Sequence, residues 1–191
     1  MRRSGFTLIE MLAAISLLTA ALGMIWGAWL QASATADVLE RKTDATDRAV
    51  HAMARISREL RAASRASLSA LPAAEIAYRI PEDLDANGLP IDADGMPEWS
   101  GPRRIGRDYN DANGDGFTAS QLILEHPGGV DVIANGLPAA EPPGVSPSGN
   151  PGIWFEARDG GILVQLEVVC LTRRAREVPA RVAQFIALRN P

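Results

Sequence analysis

The chain has 191 residues, with 19 Lys and Arg against 23 Asp and Glu and a formal net charge of −4. That length holds one domain and an anchor, hardly two cores. Without residues 1–30 the balance is 17 basic against 22 acidic groups, or −5, which argues against nucleic acid or anionic lipid as the main partner. The single cysteine, Cys170, excludes an internal disulfide and a cysteine-based metal centre.

The first element is an apolar run. Arg2 and Arg3 precede it, and from Phe6 to Leu30 only Glu10 is charged. As a helix the run spans about 37 Å at standard rise, more than the roughly 30 Å hydrocarbon core, so it crosses a bilayer with some tilt. Three readings compete. A cleaved secretory signal would use Arg2 and Arg3 as its basic region and Ala32-Ser33-Ala34 as its cleavage site, but such signals have a shorter apolar region and no acid at its start. A plain anchor explains the length and leaves Glu10 unexplained, although a carboxylate inside a membrane helix costs about 2.5–3.5 kcal/mol on insertion scales. The third reading makes Gly5-Phe6-Thr7-Leu8-Ile9-Glu10 a processing site. Gly5 lets a protease approach the Gly5–Phe6 bond closely, and cleavage there creates an ammonium at Phe6, four residues before Glu10. Pairing of Glu10 with that ammonium on a neighbouring helix would fix one axial register.

Arg2-Arg3-Ser4-Gly5-Phe6-Thr7-Leu8-Ile9-Glu10-Met11-Leu12 resembles the class III signal of type IV pilins and type II secretion pseudopilins. The resemblance implies a prepilin peptidase that cuts after Gly5 and N-methylates Phe6. It also implies assembly into a helical filament around packed N-terminal helices, with Glu10 as the assembly residue. One departure concerns the helix-kinking proline that the family's major pilins often carry: Gly27 stands in its place, with Gly23 a turn earlier. The glycines allow local softening without a proline kink.

Residues 31–68 contain neither proline nor glycine and read as continued helix. Ala49, Met53, Ile56, Leu60 and Ala63 form one apolar stripe. Arg48, Arg55, Arg58, Arg61 and Arg65 fall mostly off it and read as a solvated face, partly paired with Asp44, Asp47 and Glu59, rather than as a nucleic-acid site. Helix from 6 to 68 would be about 90 Å long. Its first half calls for lipid or other helices and its second for a sheet, which is the lollipop form of pilins.

Strands are predicted at Glu75–Ile80, Ser120–Glu125, Val130–Ala134, Ile153–Ala157, Ile162–Leu171 and Ala180–Leu188, with breaks at Pro127-Gly128-Gly129 and Asp159-Gly160-Gly161. Cys170 shares a face with Val164, Leu166 and Val168, as a buried small hydrophobe. Asn135–Gly152 holds five prolines and reads as an exposed loop.

Two segments resemble calcium loops. Asp111, Asn113 and Asp115 precede Gly116, but Leu122 stands where a bidentate acid would be expected. Asp83, Asp85 and Asn87 precede Gly88, with Asp94 at the twelfth position and Pro90 removing an amide such loops use. Calcium would act there as a structural clip; turns are the competing reading, because Asp, Asn and Gly are turn formers. His51 and His126 lack a nucleophile motif, and no zinc-protease, hydrolase or phosphate-loop motif appears. The chain therefore does not read as an enzyme.

The expectation is an α+β, pilin-like chain: leader 1–5, transmembrane and assembly helix 6–30, amphipathic continuation 31–68, and a periplasmic β-rich domain 69–191 on an antiparallel sheet. Its function would be that of a minor prepilin-like subunit, anchored in the inner-membrane lipid before assembly, with a prepilin peptidase and other pilin or pseudopilin subunits as partners. The layout is similar to J-type minor pseudopilins and to larger minor pilins. The competing reading from another class is a secreted calcium-binding or adhesive domain with an ordinary export signal.

Overall fold

A computed structural model describes residues 7–71, 73–138 and 152–188. The backbone forms two compact units, residues 1–40 and 41–191. Helix α1, Leu8–Ala62, runs unbroken for 55 residues and contributes to both.

In the first unit α1 is apolar and exposed. Its most apolar 18-residue window has a mean hydropathy of 2.1, enough by length and composition to cross a membrane. The helix satisfies its own polar groups: Ser16 Oγ donates to Leu12 O at 2.8 Å and Thr19 Oγ1 to Ile15 O at 3.0 Å. No hydroxyl need be left unbonded in hydrocarbon. Trp26 and Trp29 lie with ring centroids 5.4 Å apart near the far end of the run, where amphipathic rings favour the membrane–water boundary. Helix continues through Gly23 and Gly27.

The second unit holds seven strands in two antiparallel sheets, where the sequence suggests one. The first contains β1 (Ile76–Tyr78), β2 (Arg103–Arg107), β3 (Gln121–His126) and β4 (Gly129–Asn135), in that order. The second contains β5 (Ile153–Arg158), β6 (Gly161–Leu171) and β7 (Glu177–Ala187), also in order. Strand β2 was not expected, and α1 closes at Ala62, followed by a 3-10 turn at Arg65–Ser67. The sheets are joined at Gly136, where Val169 N–H donates to Gly136 O at 2.6 Å. Gly136 has φ +84°, and a Cβ there would lie 2.5 Å from Val169 O, so the join requires glycine.

A main core fills the unit, beside a small cluster of Ala45, Cys170 and Ala180. The expected helix stripe is buried throughout: Ala49, Met53, Ile56, Leu60 and Ala63 pack with Tyr78, Ile105, Leu122, Phe155, Val164 and Val168. Cys170 is buried on the predicted face. Polar bonds then fix the helix against both sheets. Glu59 accepts from Tyr78 Oη at 3.1 Å and from Arg103 Nη1 at 3.2 Å. Arg55 pairs with Asp131 and donates to Val132 O on β4 at 3.3 Å, while Ser57 Oγ donates to Gln184 Oε1 on β7 at 3.0 Å. Arg55 therefore finds its acid on a strand, and Glu59 its base on β2, rather than within the helix.

Candidate functional site

Helix α1 begins with a reciprocal cap. Thr7 N–H and Thr7 Oγ1 each donate to Glu10 Oε2 at 2.9 Å, and Glu10 N–H reaches Thr7 Oγ1 at 3.4 Å. This is a capping box, in which a hydroxyl residue and an acid three positions later satisfy amides that the first helical turn leaves unpaired. The Thr-x-x-Glu spacing was visible in the sequence and was missed, because the cost of an acid in lipid drew attention to its charge alone. Both bonds fall on Oε2; among the described residues nothing bonds Oε1. The carboxylate can therefore cap its own helix and still present an oxygen to another cation. Gly5 and Phe6, the predicted processing residues, lie outside the described residues.

The two acidic loops differ. In the first, carboxylates of Asp83, Asp85 and Glu98 come within 4.8 Å of one another. Asp83 and Asp85 were expected together; Glu98 was not, since it lies across the base of the loop, beyond the twelfth position. Backbone amides already engage all three: Asn87 N–H donates to Asp83 and Asp85 at 3.0 Å, Gly88 N–H to Asp83 at 2.7 Å, and Leu84 N–H to Glu98 at 2.6 Å. The Asn87 side-chain amide donates to Asp85 and to Ile91 O.

In the second loop, Asp111 accepts from Gly116 N–H at 3.1 Å. Asp115 accepts from the side-chain amides of Asn113 at 2.9 Å and Gln121 at 2.7 Å. The bond from Gln121 foremost, and then one from Phe117 N–H at 2.9 Å, hold the Asp115 carboxyl below its ordinary range. Asn113 thus turns its nitrogen to the Asp115 carboxylate while its Oδ1 accepts from Asp115 N–H at 3.2 Å, which is how a turn network closes. Beside it, Asp108 is buried and accepts from Asn110 and Ala112 N–H. Arg107, also buried, donates to the carbonyls of Ala119 and Pro138. Burial pushes its guanidinium below the ordinary value. Sequence reading passed over this clamp because an arginine followed by an aspartate looks like surface.

Of the histidines, His51 is exposed on α1. His126 accepts from Gly128 N–H through Nδ1 at 3.1 Å and approaches Asp131 through Nε2 at 3.6 Å, at the β3–β4 turn. The site with an interpretable constellation is therefore the N-terminal one: a capped acid at the start of an apolar helix, preceded in the sequence by Arg2, Arg3 and the Gly5-Phe6 pair.

Residues 1–26 match the family described as the prokaryotic N-terminal methylation motif. No curated protein and no solved structure matches the chain. Taken with the apolar helix that begins at Leu8 and the antiparallel sheets that follow it, this match shows that the chain carries the N-terminal signal of type IV pilins and pseudopilins.

Proposed function

We propose that this chain is a minor prepilin-like subunit, cut between Gly5 and Phe6 by a prepilin peptidase, N-methylated at Phe6, and assembled with other subunits into a filament. The observation that carries the proposal is Glu10: one oxygen is spent on the helix cap, and the other remains for the Phe6 ammonium of a neighbouring subunit. Arg2 and Arg3 place the leader on the cytoplasmic side, with Asp37 and Glu40 beyond the far end of the apolar run. The domain from residue 69 onward is then periplasmic, and inner-membrane lipid holds the subunit until assembly.

Within this reading we favour a J-type role in a type II secretion pseudopilus, with a type IV pilus minor pilin as the alternative. The motif serves both systems, and a neighbouring secretin and secretion ATPase without retraction machinery would favour secretion. Mass spectrometry of the mature chain tests the shared part. The expected N-terminus is methylated Phe6; a start near Thr35 or an intact leader would sink this reading, and the start near Thr35 would instead support the exported calcium-binding or adhesive domain.

A further inference from the structure

One half of the β7 edge is closed and the other is open. In the β6–β7 ladder the even-numbered residues of β7 turn their peptide groups toward β6, and Leu188 N–H continues that side by donating to Gly160 O at 3.2 Å. Odd-numbered residues turn theirs away from the sheet. At the start of the strand this outer edge is blocked: Pro179 has no N–H, and its carbonyl accepts from Lys42 Nζ at 2.8 Å. At Arg181, Ala183 and Phe185, which are exposed, the outward N–H and C=O groups bond to nothing among the described residues. Three open donor–acceptor pairs, about 6.8 Å apart, suit an added strand of about five residues.

Beneath this open half runs a groove of about 790 Å³ between α1 and β7. Val50, Met53 and Val182 supply apolar lining, Arg58 and Arg61 line the α1 side, and no acidic residue contributes. Arg55, Arg103 and Arg104 each face a carboxylate. Arg58 and Arg61 form no ion pair among the described residues. Inward side chains of a strand added beside β7 would enter this groove, since Val182 and Gln184 of β7 already point into it.

We propose that the β7 edge from Arg181 to Phe185 receives an extended, acidic strand from a different subunit of the filament, its carboxylates meeting Arg58 and Arg61 in the groove. The word filament here rests on the function proposed above. Two copies of this chain are not suited to pair β7 with β7, because that would bring two arginine-lined grooves together. Nor does the chain's own acidic segment fit, because residues 81–99 are folded back by bridges at Pro81–Trp99 and Ile91–Pro97 rather than extended.

The test uses full-length protein in detergent and a fluorescent hexapeptide alternating Glu and Val, beside a Lys/Val counterpart. Saturable binding of the acidic peptide alone is expected. Ala183→Pro should weaken it at least tenfold, because it removes an outward donor that the β6 ladder does not use, at a position equivalent to that of Pro179. Ala183→Thr keeps the donor and should keep the binding. The double variant Arg58→Glu/Arg61→Glu should also lose it, which keeps the test decisive if the proline variant fails to fold. Undiminished binding to either variant, equal binding of the lysine peptide, or no binding of the acidic one overturns the proposal. So does a native dimer that Ala183→Pro dissolves, which would give the edge to a second copy. A mature chain beginning near Thr35 sinks the filament reading even where the peptide binds. Absent binding with methylated Phe6 sinks this inference alone.

Discussion

Glu10→Gln separates the cap that the Glu10 carboxylate forms from the assembly role proposed for it. Glutamine at this place in a capping box still accepts from Thr7, so the helix start is kept and the charge is removed. Thr7→Ala does the reverse. Loss of the cap costs about 0.5–2 kcal/mol, a factor of roughly 2–30 in any equilibrium that needs the first turn formed. An ammonium left without its carboxylate in a low-dielectric interface costs about 3–5 kcal/mol, or roughly two to nearly four orders of magnitude. Insertion and cleavage should survive both changes, and the fraction of mature protein recovered in filaments should separate them. Glu10→Gln should nearly abolish assembly, whereas Thr7→Ala should reduce it modestly. If Glu10→Gln assembles within about threefold of the native chain, or if the two variants fall equally, Glu10 is a cap and no more.

Two further outcomes concern the domain from Arg41 onward. Tyr78→Phe removes the hydroxyl that donates to Glu59 while leaving Arg103 on that carboxylate; a loss of about 1 kcal/mol is expected, lowering the thermal midpoint by about 2–4 °C for a unit of this size. No change would mean that Arg103 alone satisfies Glu59. Stability should also fall on the acid side through Glu125. Its hydrogen bonds from Arg104 hold its folded-state pKa below the ordinary value, so its contribution is present above the unfolded pKa of about 4.3 and is lost as pH drops through the lowered folded value. Denaturant midpoints measured across that range should converge for the native chain and Glu125→Gln at the acid end; parallel curves would sink the assignment.

The helix stripe, the six expected strands and the buried side of Cys170 were legible because each rests on local periodicity. Strand β2 was not. Arg103-Arg104-Ile105-Gly106-Arg107 offers one apolar residue in five and a glycine, which argues against a strand by propensity. Its arginines are accommodated by distant partners: Arg103 by Glu59, Arg104 by Glu75 and Glu125, and Arg107 by carbonyls of two loops. Pairing over long sequence separations also decides that there are two sheets rather than one, and no window of residues carries that information. At the N-terminus the reverse held. Everything needed to see the Thr7–Glu10 cap lay within four residues, whereas Glu98 joins Asp83 and Asp85 only through the fold.

The part of α1 that belongs to the second unit has a mechanical meaning. Within the unit from Arg41 onward, load along α1 falls on Ala49, Met53, Ile56 and Leu60, which are packed in the core. Lys42, Arg55 and Ser57 fasten the same stretch to β7 and β4. A pull along α1 therefore strains many side-chain contacts together, in shear, rather than one bond at a time.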